Sequence, residues 1–274
     1  MSFLEKLRSA SRANSSLLCV GLDVALDTMP TGVPRTPVGV VEFNRAIVEA
    51  TADLVCAYKP NLAFYEALGP AGLDALLETR ELIPREIPVI ADAKRGDVGH
   101  TAGAYARALF DVYSFDAVTV SPYLGRDALE PFLERADRGV FVLCRTSNPG
   151  ARDLQDLSVG GEPLYRVVAR LVTQWNQRGN AGLVVGATYP SEIAEVREIA
   201  PSLPLLIPGV GAQAGDLAAA VRAGVDARGE LAIVNSSRQV LYASSDRGFA
   251  AAARAVATTL RGQINRARDA GVGG

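Results

Sequence analysis

Eight short apolar runs, each followed by sequence with helical spacing, limit this chain more than any other feature. The runs are LLCVGLD (17–23), LVCAYKP (54–60), PVIADAKR (88–95), FDAVTVSP (115–122), VFVLCRTS (140–147), AGLVVGAT (181–188), PLLIPGVG (204–211) and LAIVNSSR (231–238). They are nearly continuous rather than alternating, which suits parallel strands covered on both faces. Between them, stretches such as VGVVEFNRAIVEATADL, TAGAYARALFDVY and PLYRVVARLVTQWNQRG space apolar residues at three and four, as helices do. Strict β-then-α alternation predicts a parallel sheet, and eight repeats predict a closed (β/α)8 TIM barrel of the α/β class. An open doubly wound sheet competes, but it carries a G-x-G-x-x-G turn after its first strand, and GLDVALD lacks one.

The chain reads as one domain over residues 1–274, and 49% hydrophobic residues are enough for such a core. An extra amphipathic N-terminal helix is expected over 1–14, and a frayed tail over 268–274. With 28 basic and 30 acidic residues and no basic stripe, a nucleic-acid partner is not suggested. No apolar run approaches the ~18 residues of a membrane span. A soluble cytoplasmic protein is the expectation, with no membrane partner. Cys19, Cys56 and Cys144 lie inside apolar runs at long spacings, so they read as buried small hydrophobes, not as a disulfide frame or zinc knuckle. His100 is the sole histidine, which leaves a Ser–His hydrolase or a multi-histidine metal site little to build on.

The polar residues gather at strand ends. Strand one ends in Asp23, strand two in Lys59, strand three in Asp92 and Lys94, strand five in Thr146, Ser147 and Asn148, and strand eight in Ser236, Ser237 and Arg238. In a barrel these ends converge on one mouth, where active sites form. Lys59, Asp92, Lys94 and Asp97 can alternate in sign there, each lysine held protonated by acids and each aspartate ionised by bases. Such a network presents an ammonium as a proton donor in a dry site. The plainer reading is a solvated ion-pair cluster, which a quartet led into by apolar sequence fits less well. In IPGVGAQAGD (207–216), Gly209 and Gly211 can bring backbone N–H groups to an anion, Gln213 can add an amide, and Arg238 can clamp phosphate with two parallel bonds. The plainer reading there is turns and a surface arginine. The polar, glycine-rich stretch SNPGARDLQDLSVGGEP (147–163) reads as a lid, or as an ordinary surface loop.

Taken together, these residues resemble the orotidine 5′-monophosphate decarboxylase family, in its longer-chain bacterial subgroup (type 2). ADAKRGD matches the D-x-K-x-x-D signature, and GLD, YKPNLAFYE, RTSNPGA, PGVGAQ and NSSR follow in the family's order between residues 15 and 245. The resemblance implies a TIM barrel and a cofactor-free, metal-free decarboxylation of orotidylate to uridylate, in pyrimidine synthesis, by a homodimer with shared active sites. By position, Lys94 would protonate C6 and Asp92 would lie against the substrate carboxylate. Asp97 would complete the network from the partner subunit, accompanied by Thr101. Lys59 and Asp23 would hold ribose hydroxyls, Ser147 the pyrimidine edge, and Gln213, Arg238 and the backbone N–H groups of Gly211 and Ser237 the phosphate. NSSR departs from the family, many members having Gly before the arginine-bearing turn, and a serine there would narrow the pocket or add a donor. One alternative is a metal-dependent sugar-phosphate decarboxylase or synthase of the same superfamily, which needs an acid where this chain has Lys59. Another is a non-catalytic phosphoribosyl-ligand-binding protein, which needs no such charge network.

Overall fold

A computed structural model describes residues 1–209 and 216–272. The eight runs form eight strands: β1 Leu18–Gly21, β2 Ala57–Lys59, β3 Ile90–Arg95, β4 Ala117–Val120, β5 Gly139–Arg145, β6 Ala181–Val185, β7 Leu205–Pro208 and β8 Ala232–Ser236. They pair in parallel in the order β2-β1-β8-β7-β6-β5-β4-β3. Parallel bridges at Tyr58↔Val89 and Asn61↔Asp92 join β2 to β3 and bring the ring round on itself. The TIM barrel expected from the alternation is what forms.

Two apolar layers hold it. The larger fills the space between strands and helices, with Val20, Phe43, Ile47, Val118, Val142 and Ile207 among its buried members. At its seam, Phe43 of helix Pro37–Thr51 stacks on Phe249, ring centroids 5.0 Å apart, so the first crossover helix packs on the last helix, Phe249–Val272. The smaller layer lies inside the barrel and contains Cys19, Ala57, Ile90, Ala117, Phe141, Leu206 and Ile233. Helix Phe3–Ala13 plugs this layer from below. Ser2 and Glu5 cap its start reciprocally, Phe3 sets its ring edge-on to Phe141 at 5.6 Å, and Lys6 pairs with Asp116 at 2.7 Å. Gly139 is required there, because a Cβ on it would lie 2.5 Å from the Phe3 ring.

All three cysteines are buried, and burial pushes the Cys19 and Cys144 thiols up to about 12, so they serve packing. No helix among the described residues is long and apolar enough to cross a membrane. The stretch expected to fray over 268–274 is instead helical through most of its length, as the last part of helix Phe249–Val272. Ala267 is buried and Gly271 lies beside Arg222 of helix Leu217–Gly224, so the last turns pack back on the barrel.

Candidate active site

Side chains two residues apart on a strand share a face. The alternation that puts Ala57, Ile90, Ala117, Phe141 and Ile233 in the inner apolar layer therefore puts Lys59, Asp92, Thr119, Leu143 and Asn235 one layer higher, at the C-terminal mouth. Lys59 is 3% exposed, and its Nζ donates to Asp92 Oδ2 at 2.7 Å. Lys94 Nζ donates to Asp92 Oδ1 at 2.5 Å, and its side chain is 47% exposed toward the opening. One carboxylate thus bridges two ammoniums, one buried and one accessible. Asp23 is near enough to Lys59 to favour its charged form, and accepts from the Asn61 N–H at 3.2 Å.

The Asp92–Lys94 contact is not made by a regular pleat. The pairing of β3 with β4 runs Ala91↔Val118 and then jumps to Arg95↔Val120, a bulge that leaves extra residues on β3. Lys94 there takes φ +48°, a left-handed conformation that costs a residue with a Cβ. The Thr119 hydroxyl sits in the bulge. It accepts the N–H groups of Ala93 and Lys94 and donates to Asp92 Oδ1, each at 3.0 Å.

Burial alone favours the neutral form of both Asp92 and Lys59, but the neighbouring charges prevail. Lys59 and Lys94 hold the Asp92 carboxyl far below the usual carboxylate range, and Asp23 and Asp92 hold the Lys59 ammonium above its usual value. A depressed acid contributes stability above its unfolded pKa and loses it as pH falls through the folded value. A raised base contributes below its unfolded pKa and loses it as pH rises. The unfolding free energy lost in Asp92→Asn should therefore be flat from about pH 4 to about pH 10 and shrink only outside that window. Urea titrations across pH check this, and a loss that changed steeply near about pH 7 would contradict the assignment.

The remaining expected residues divide. Ser147 follows β5 and lies beside Gly186 and Gly209, where a Cβ would come within 2.8 Å and 3.9 Å of the Ser147 Cβ. Gly209 has φ +93°, so a glycine suits that turn on conformation as well. Ser237 packs against Gly21, where a Cβ would meet its Oγ at 1.9 Å. Arg238 is exposed at the start of helix Arg238–Leu241, at the same end of the barrel as Lys94. Gly211 and Gln213 lie outside the described residues. Asp97 does not join the lysines of its own chain. Its Oδ1 accepts from the Val98 N–H at 2.7 Å, and Thr101 lies in the first turn of helix Gly99–Arg107 without contacting Asp92 or Lys94. Arg95 turns outward to pair with Glu66. Among the described residues no cluster of three His, Cys, Asp or Glu side chains is placed to hold a metal ion.

Sequence reading passed over Thr119, Asn61 and Arg145. Asn61 follows β2, donates its N–H to Asp23 and caps helix Leu62–Glu66 through Oδ1. Arg145, 2% exposed, reaches Glu192 at 2.7 Å and Asp156 at 3.2 Å, between the rings of Tyr165 and Tyr189. It fastens the candidate lid. That segment contains a 3-10 turn, Pro149–Asp153, and a small hairpin pairing Ser158–Val159 with Glu162–Pro163. Gln155 ties it further to both the N–H and the hydroxyl of Thr146.

The profile of the Orotidine 5'-phosphate decarboxylase / HUMPS family matches residues 16–254. The chain belongs to this family. It is 59% identical over 271 residues to the orotidine 5'-phosphate decarboxylase of Thermomicrobium roseum, covering 98% of this chain and 96% of that one. Its fold matches the structure of Leishmania donovani OMP decarboxylase at TM-score 0.88 and 42% identity, covering 98% and 99% of the two chains. It also matches Leishmania donovani UMP synthase at TM-score 0.89 and 44% identity, covering 98% of this chain but spanning 57% of that longer one.

Proposed function

We propose that this chain decarboxylates orotidine 5′-monophosphate to uridine 5′-monophosphate and carbon dioxide, without a cofactor. The observation that carries the reading is the Lys59–Asp92–Lys94 chain at the mouth, with its outer ammonium accessible. The bond from C6 to the carboxylate breaks, its electron pair stays on C6, carbon dioxide leaves, and Lys94 gives its proton to C6. A fixed ammonium stabilises the developing carbanion without reorganising as the bond breaks. Asp92, held ionised, lies against the substrate carboxylate, and binding energy from the remote phosphate offsets that crowding.

Asp23 and Lys59 hold ribose hydroxyls and Ser147 meets the pyrimidine edge. Arg238 and the Ser237 N–H hold the phosphate, with Gly211 and Gln213. We infer a cytoplasmic homodimer in which Asp97 and Thr101 serve the partner's site. Their lack of contact with the lysines of their own chain supports this arrangement. A metal-dependent sugar-phosphate enzyme is disfavoured, because the Lys59 ammonium pairs with Asp92 where such enzymes carry an acid, and it would repel a divalent cation. The test mixes the protein with orotidylate and excess EDTA and follows substrate absorbance. The expected result is loss of absorbance at the same rate with and without chelator. No change with folded, dimeric protein would overturn the proposal, and loss abolished by EDTA would favour the metal-dependent reading.

A further inference from the structure

We propose that Thr119 is a positioning residue of this site, its one hydroxyl fixing both the direction of the Asp92 carboxylate and the turn that aims Lys94. The inference rests on the decarboxylase reading for its kinetic consequence, but not for its geometry. A threonine hydroxyl has one donor and two acceptor sites. All three are used: two accept the N–H groups of Ala93 and Lys94, and the donor goes to Asp92 Oδ1. Because the two amides occupy the lone pairs, the proton has only the carboxylate to point at. The hydroxyl is therefore locked, and it locks Asp92 in turn.

The same two amides lie in the bulge, where β3 has more residues than its partner strand and the regular ladder is interrupted. Buried N–H groups left without an acceptor are costly, so Thr119, 1% exposed, stands in for the missing ladder carbonyl. Through the Lys94 N–H it holds that residue at φ +48°, which directs the ammonium back over Asp92 rather than along the strand. Thr119 need not touch substrate. It acts on proton transfer by keeping donor and carboxylate in register.

The test compares Thr119→Val, which keeps shape and removes the hydroxyl, with Thr119→Ser, which keeps the hydroxyl. Measured are kcat and KM on orotidylate, the Kd for uridylate, and hydrogen exchange of the Ala93 and Lys94 amides. Thr119→Val should lower kcat about 100-fold, the scale of a misplaced reacting group, with the uridylate Kd changed less than about threefold. Its two bulge amides should lose protection while neighbouring strands keep theirs. Thr119→Ser should restore kcat to within about fivefold of the parent and restore protection. The proposal is overturned if Thr119→Val keeps kcat within about threefold, or if valine and serine variants lose activity equally. If the parent protein itself leaves orotidylate unchanged, the decarboxylase reading has failed. Amide exchange then still decides the geometry: unchanged protection in Thr119→Val would overturn it.

Discussion

Replacing Lys94 by alanine is expected to lower kcat on orotidylate by at least about 10⁴-fold while uridylate still binds within about tenfold. The asymmetry follows from where the groups sit. Lys94 is the exposed end of the charge chain, and no other lysine or histidine shares its contact with Asp92 Oδ1. Lys59 cannot replace it, being buried on the opposite carboxylate oxygen. The proposed phosphate end, at Ser237 and Arg238, follows β8 and is untouched by the change. Lys94→Arg should rescue little, since a guanidinium keeps the charge but does not give up a proton. Absorbance assays for turnover and calorimetry for uridylate check both halves. A variant within about tenfold of the parent in kcat would remove Lys94 from the chemistry.

The second large effect concerns stability. Arg145→Leu should lower the unfolding free energy by about 3 kcal/mol, or about 6 °C in Tm, and raise KM. The leucine leaves Glu192 and Asp156 facing each other without the cation that joins them, and Glu192 is mostly buried. It also frees Asp156 and weakens the hold on Gln155, which together moor residues 147–163 to β5. Removing Glu192 as well, in Arg145→Leu Glu192→Leu, should recover part of the stability but not the KM. Thermal unfolding and steady-state kinetics read the two effects separately. A Tm lowered by less than about 1 °C would show that the arginine is not what fastens the segment.

Much of the barrel was legible because apolar continuity and helical spacing are local properties. The N-terminal helix was legible for the same reason, from MSFLEKLRSASR, though not its place beneath the strands, which depends on Phe141 far along the chain. Lys59, Asp92 and Lys94 could be read as a group because charge that closes an apolar run must find a counter-charge nearby or bear the cost of desolvation. Thr119 could not. A lone threonine in DAVTVSP is what β-propensity alone would place there, and its role exists only once β3 bulges beside it. Arg145 gave no signal for a similar reason, since Glu192 and Asp156 come from separate later segments. The bulge itself was also hidden: DAK reads as a regular pleat, and nothing in the letters announces a left-handed lysine.

The plug formed by Phe3 and Leu7 closes the lower end of the barrel and leaves the C-terminal mouth as its opening among the described residues. On the proposed reading, reactant would enter, and both the gas and the nucleotide would leave, through the same doorway above Lys94. On that reading, carbon dioxide formed deep in the mouth would have to slip past the nucleotide or wait for it to depart. Whatever controls passage at that doorway thus governs arrival and departure together, which makes residues 147–163 the natural place to look for the pace of turnover.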